Sequence, residues 1–160
     1  MAPTKLNVTT RYIPPGSRKY YYVPTIATQS SPTRSEMNAG TDLSDQIADV
    51  SGFTVTSDQV ETPDLASRFT GKIPGRITAD DSSLTFYASS NSNDVRLVLP
   101  RDTSGFIIVL PEGDIPTQRM DVFPVKVSAT AVDGSVEDPG RVIVNFSITS
   151  IPSQNVVIPA

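Results

Sequence analysis

The chain predicts an all-β fold with one or two short helices, and three observations carry that expectation. The stretch Arg119–Ile151 holds two runs in which apolar and polar residues alternate, separated by turn residues. Gly105–Leu110 is a nearly unbroken apolar run of strand length, as in a strand covered on both faces. Fourteen Pro and nine Gly, with abundant Thr, Ser and Val, suit short strands joined by irregular connections. At 160 residues one domain is expected, large enough for a proper core. The expected architecture is two packed antiparallel sheets, a sandwich or barrel, over residues 33–151. An extended N-terminal arm (1–32) and C-terminal arm (152–160) flank it.

The first 32 residues carry Pro3, Pro14, Pro15, Pro24 and Pro32, which disfavour a central strand or long helix. They also carry Ile13, the cluster Tyr20-Tyr21-Tyr22, Val23 and Ile26, more apolar surface than a solvated tail needs. Two readings follow: a tail or edge strand, or an arm that docks on a neighbouring copy. Tyr suits the second because it joins an apolar body to a polar tip.

Thr33 and Glu36 have capping-box spacing and predict a helix to Asn38, with Gly40 closing it in a left-handed conformation. Thr41–Val50 fits either helical spacing or an irregular strand. Ser51–Val60 reads as a strand, and Glu61–Gly75 as a long loop punctuated by Pro63, Gly71, Pro74 and Gly75. Arg68-Phe69 and Lys72-Ile73 make that loop a candidate contact. Arg76–Ala79 and Ser82–Ala88 are strands, the second with Leu84 and Phe86 on one face and Thr85 and Tyr87 on the other. Asn93 is placed to cap a short helix bearing Val95, Val98 and Leu99, ended by Pro100. Glu112–Pro116 turns into the long hairpin. There Phe123, Val125, Val127 and Ala129 alternate with Pro124, Lys126, Ser128 and Thr130. Val142, Val144, Phe146 and Ile148 alternate with Ile143, Asn145, Ser147 and Thr149. Asp133-Gly134 and Pro139-Gly140 supply the turn. One face of this hairpin is greasy, the other rich in hydroxyls. Ser150–Ala160, with Val156-Val157-Ile158, is a further apolar extended arm.

Little in the chain supports catalysis. It has no Cys and no His, so it lacks thiolate metal sites and the usual near-neutral acid–base. No nucleophile motif or phosphate loop is present. Asp80-Asp81 before Ser82-Ser83 lacks the spacing of a calcium loop and reads as a solvated turn. No enzyme, cofactor or metal is expected. A net charge of −4 argues against a nucleic-acid binder, though not against a surface that nucleic acid must pass without sticking. No apolar run reaches the ~20 residues of a membrane span, and MAPTKLNVTTRY lacks the apolar core of a secretory signal. The expectation is a soluble chain made in the cytoplasm, without a membrane anchor.

An ordered series of segments resembles the major tail proteins, or tail tube proteins, of long-tailed, siphovirus-type bacteriophages. The series runs PTRSEMNAGTDLSDQIADVSGF (from Pro32), VETPDLASRF (from Val60), DSSLTFY (from Asp81), VRLVLPRDTSGFIIVL (from Val95), MDVFPVKV (from Met120) and NFSITSIP (from Asn145). The resemblance implies a structural virion subunit of the tail, made in the host cytoplasm. Such subunits form stacked hexameric rings around a lumen through which double-stranded DNA leaves. Tape measure, terminator and tail-tip proteins would be its partners. The hydroxyl face of Lys126, Ser128, Thr130, Asn145, Ser147 and Thr149 would suit the lumen wall, with Asp121 or Glu137 neutralising Lys126. Inter-ring contacts would come from Tyr20, Tyr21, Tyr22, Val23, Ile26, Arg68, Phe69, Val156, Val157 and Ile158. Deleting Asn155–Ala160 would then leave a folded subunit unable to build tubes. The alternatives are the inner tube of a contractile tail or injection device, or a receptor- or carbohydrate-binding β-sandwich. The last should show an aromatic cluster around a pocket, whereas aromatics make up only 7% of this chain and are scattered outside Tyr20–Tyr22.

Overall fold

In a computed structural model that describes residues 2–91 and 94–160, the chain is built almost wholly from antiparallel strands. In order they are β1 (Lys19–Val23), α1 (Arg34–Asn38), β2 (Thr41–Asp42), a 3-10 turn (Ser44–Gln46) and β3 (Ile47–Ser51). β4 (Val55–Thr62), β5 (Gly71–Ala79), β6 (Ser82–Tyr87), α2 (Val95–Val98) and β7 (Ser104–Leu110) follow. The chain ends with β8 (Arg119–Asp133), β9 (Arg141–Ile148) and β10 (Ser153–Val157).

Among the described residues eight strands form one sheet in the order β2-β1-β7-β8-β9-β6-β3, with β10 beside β8, and β4 and β5 pair only with each other. The fifteen-residue β8 is the spine. One of its edges pairs with β7, and the other pairs first with β10 and then with β9. Side chains from both ends of the strand order meet in one core: Tyr20, Tyr22, Ile107, Phe123, Val127, Phe146, Leu84 and Phe86 share a cluster. The sheet therefore curls on itself. The expected packed layers are its two halves, and the second sheet is only a two-stranded ribbon. Phe53 plugs the core, with its ring 5.4 Å from Phe123 and 6.0 Å from Phe146. A second cluster lies on the other face, where Val23, Ile26, Met37, Ile108, Leu110, Met120, Val122, Val156 and Ile158 pack together. β7 and the first half of β8 are thus covered on both sides, as the apolar run Gly105–Leu110 predicts.

Local chemistry explains most elements. Thr33 and Glu36 form the reciprocal capping box of α1. Gly40 does not take a left-handed conformation; it is needed for space, because a Cβ there would lie 2.6 Å from the Tyr22 carbonyl oxygen. The cap of α2 is Asp94, whose carboxylate accepts from the Arg96 amide, and Asn93 lies outside the described residues. The ambiguous Thr41–Val50 splits into β2, the 3-10 turn and β3. The expected strand at Ser51–Val60 begins instead at Val55, after Gly52 and Phe53 turn the chain at positive φ. Residues 71–75, expected as loop, are strand. Pro74 is tolerated there because both strands of a lone ribbon have a free edge, where a missing N–H costs nothing.

Candidate conduit wall and assembly surfaces

The candidate site is a surface, and ladder register builds it. Residues directly opposed across antiparallel strands project from the same face. Ser51 pairs with Ser83, Ser83 with Asn145, and Asn145 with Ala129. One row along, Asp49 pairs with Thr85, Thr85 with Ile143, and Ile143 with Ala131. A third row joins Ser147, Lys126 and Ser104. The reverse face of the same strands carries the buried Leu84, Phe86, Val142, Val144 and Phe146. The result is a continuous, largely polar face across β3, β6, β9 and β8, with hydroxyls from Ser51, Ser83, Thr85 and Ser147. A groove on it is lined by Ser51, Asp81, Ser83, Ser128, Asn145 and Ser147.

Of the residues singled out from sequence for this face, Lys126, Ser128, Ser147 and Thr149 are exposed and Asn145 is half-buried. Ser128 donates to the Asn145 carbonyl at 3.1 Å, and Thr149 is tied through its amide to the Pro124 carbonyl at 3.0 Å. Thr130 is a correction. The ladder slips between Val127 and Ala129, so beyond the bulge Ala129 faces Asn145 and Thr130 faces the buried Val144. Thr130 therefore projects from the side opposite Ala129, where it stays exposed. The partner of Lys126 is also a correction: its ammonium lies 3.4 Å from Asp102, not beside Asp121 or Glu137. Asp121 instead accepts from the Asn155 amide at 2.8 Å. Arg141 lies in the next row, between Tyr87 and Asp133, with its guanidinium 5.9 Å from the Tyr87 ring. Sequence reading had missed Ser51, Ser83 and Ser104 as members of the face. Alternation in β6 already separated Thr85 from Leu84 and Phe86, but only the strand order brings β3 and β6 beside β9.

The expected contact residues divide sharply. Tyr20 and Tyr22 are 6% exposed, Val23 and Ile158 1%, Ile26 and Val156 7%. They belong to the subunit's own core. They sit on or beside β1 and β10, which are strands of the main sheet, so these side chains are not free to dock elsewhere. Tyr21 is half-buried; its hydroxyl donates to Asp114 at 3.1 Å, and Asp114 also accepts from Arg34 at 2.6 Å. Burial first, and then the neighbouring Asp114 charge, push the Tyr21 hydroxyl above the ordinary tyrosine value. The Arg34 hydrogen bond holds the Asp114 carboxyl below its ordinary value against the opposing effect of burial. Arg68, Phe69 and Val157 are accessible. Phe69 is 79% exposed in the loop joining β4 to β5, beside a fully exposed Leu65, and Ile73 and Ile77 of β5 are also uncovered.

A family model described as phage tail tube protein matches residues 7–160. The chain belongs to the phage tail tube protein family. It is thus a structural tail tube protein. No curated protein matches it. Among solved structures, the SPP1 tail tube is 14% identical, with a TM-score of 0.54 over 88% of this chain and 78% of that one. A chain in the tail of an empty gene transfer agent particle, solved with C6 symmetry, is 10% identical, with a TM-score of 0.53 over 86% of this chain and 93% of that one. A chain of the anti-feeding prophage baseplate is 8% identical, with a TM-score of 0.59 over 89% of this chain and 95% of that one. At these identities the likeness is one of fold.

Proposed function

We propose that this protein is the major tail tube subunit of a long, non-contractile, siphovirus-type phage tail. Six copies close into a ring and rings stack into a tube. The face across β3, β6, β9 and β8 lines the lumen through which double-stranded DNA is ejected. The continuous, largely polar face carries this reading. A wall for DNA must not hold phosphate, and fixed, uncompensated cations would do so. Here Lys126 is paired with Asp102, and Asp49 adds negative charge. The role is structural, with no reaction to catalyse. The subunit would reside in the virion tail, be made in the host cytoplasm, and meet tape measure, terminator and tail-tip proteins at the tube's interior and ends.

Negative-stain microscopy of the purified protein tests this. Uniform hollow tubes are expected; a protein that stays monomeric at high concentration, with no tubes under any salt, would overturn the proposal. The fold likeness to a baseplate chain supports a second reading, the inner tube of a contractile tail or injection device. A sheath around the tube in micrographs of intact particles would favour that reading.

A further inference from the structure

The β4–β5 ribbon leaves the body of the subunit and returns to it through one root. Gly52–Thr54 form the outgoing leg and Asp80–Ser82 the returning leg. Among the described residues the ribbon's strands pair with no others. Facing the β9–β10 connection, an open cleft of about 240 Å³ lies between Val55, Ile77 and Ala79 on the ribbon and Ile148, Ile151 and Pro152 on the body. Packing on that side therefore does not set the ribbon's angle. Its direction has to be fixed at the root.

The root has the features of a clamp. Gly52 and Phe53 both take positive φ, at 81° and 57°. For a bulky side chain that conformation is strained, and such strain persists only where the surroundings hold it. Three contacts hold Phe53. Its ring is anchored in the core against Phe123, Phe146 and Tyr20. Its amide donates to the Ser82 hydroxyl at 2.9 Å. The chain before it crosses the returning leg so closely that a Cβ on Gly52 would lie 2.4 Å from the Asp81 carbonyl oxygen.

Ser82 joins the two legs. Its hydroxyl accepts from the Phe53 amide on one leg and donates to the Asp80 carbonyl on the other at 3.0 Å. It is 2% exposed, and among the described residues it is the one buried polar side chain. It sits on the core face of β6, opposite Phe146 and in line with Leu84 and Phe86. A hydroxyl among apolar side chains is costly unless it is hydrogen-bonded. Here both of its bonds are spent on the root. On the outer side the Asp80 amide donates to the Thr54 carbonyl at 3.1 Å, and the Thr54 hydroxyl donates to the Asp80 carboxylate. The legs are thus tied on the inside by Ser82 and on the outside by Thr54 and Asp80.

We propose that Ser82 is a positioning residue: by bridging Phe53 to Asp80 it locks the root and holds the ribbon at one angle in the free subunit. Length makes that angle matter. The eight residues of β4 span roughly 26 Å, so about 15° of play at the root would carry the tip by about 7 Å, more than the spacing between paired strands. A locked root presents the apolar tip in one place. Its bearing on tube growth rests on the proposed function; the lock itself does not.

The chain has no cysteine, so spin labels can be placed at Lys72→Cys on the ribbon and Thr130→Cys on the body, both exposed. Pulsed electron–electron double resonance on the unassembled full chain should give one narrow distance distribution. A broad distribution there would overturn the proposal. Adding Ser82→Ala should widen the distribution at least twofold. Val122→Ala, a truncation in the cluster on the other face of the sheet, should leave its width unchanged. No widening in Ser82→Ala, or equal widening in both, would overturn the proposal, the second by making Ser82 an ordinary core residue. Thr54→Val removes the exposed tie and tests the same root should Ser82→Ala not fold; it too should widen the distribution, and an unchanged width would overturn the lock. In assembly, Ser82→Ala should raise the concentration needed for tube growth several-fold, and growth at the wild-type concentration would overturn the link between the fixed angle and assembly. The two readings fail separately. A narrow distribution in a protein that never forms tubes keeps the locked root and removes the tube. Tubes grown from subunits with a broad distribution remove the locked root alone.

Discussion

Lys126 and Asp102 show how one pair can matter to function and hardly at all to stability. Both side chains are about half exposed or more, and such pairs contribute only about 0–1 kcal/mol. Asp102→Asn should therefore leave the melting temperature within a degree or two. It would also leave one uncompensated cation per subunit on the polar face. In phage carrying this substitution, DNA release should slow, and added salt should relieve the delay because screening weakens phosphate binding. Unchanged release at low salt would remove Lys126 from the lumen. Asp114 makes the opposite case, since it is mostly covered and bonded to both Arg34 and Tyr21. Its folded-state pKa is depressed, so its stabilisation is fully present above the ordinary carboxylate value and is lost as pH falls through the lower folded value. Asp114→Asn should cost about 1 kcal/mol near neutrality, discounted for the partial exposure of Arg34. In acid, where the native carboxyl is itself protonated, denaturant titrations of the two proteins should converge.

At the scale of elements, strands were legible and their exact facing was not. Alternation is local information, so β6, β7, β8 and β9 could be placed from side-chain type alone. A bulge changes parity without changing composition, and nothing in Val127-Ser128-Ala129 announces that Thr130 will turn to the side opposite Ala129. β5 was hidden for a related reason: Pro74 and Gly75 are breakers in a central strand but harmless in a free ribbon. The burial of β1 was hidden because five prolines suggested an arm, whereas the whole of Lys19–Val23 falls between Pro15 and Pro24 and is free to pair with β7. That pairing has a visible requirement at Gly105. Tyr22 lies across it, and a Cβ there would come within 2.5 Å of the ring. The Tyr22 hydroxyl also donates to the Ser104 carbonyl at 3.1 Å. Gly105→Ala should thus push the ring aside and destabilise the subunit by about 1–3 kcal/mol. Equilibrium urea unfolding would measure this, and an unchanged midpoint would mean that Tyr22 moves freely.

For the whole molecule, the two kinds of apolar extremity have opposite consequences when removed. The C-terminal residues belong to the fold: Val156 and Ile158 are buried against Val122, Met120 and Leu110, and the Ile158 amide donates to the Gln118 carbonyl at 2.9 Å. Losing two such side chains forfeits roughly 3–6 kcal/mol, a large share of the 5–15 kcal/mol that holds a domain together. Deleting Asn155–Ala160 should therefore yield a poorly folded, protease-sensitive chain, not the intact but tube-incompetent subunit expected from sequence. The tip of the β4–β5 ribbon is the reverse. Among the described residues its strands pair with nothing else, and Leu65 and Phe69 touch water, so the fold gains little from them. Replacing residues 64–69 with a short Gly-Ser turn should leave the melting temperature almost unchanged, because changing loop length costs only a few tenths of a kcal/mol. An exposed apolar tip, with Val60, Ile73 and Ile77 also uncovered along the ribbon, is what a docking surface between copies looks like. Tube growth should therefore fail in the shortened-ribbon chain while its circular dichroism and melting stay native. Tubes of normal length from that variant would leave the ribbon without a role in assembly.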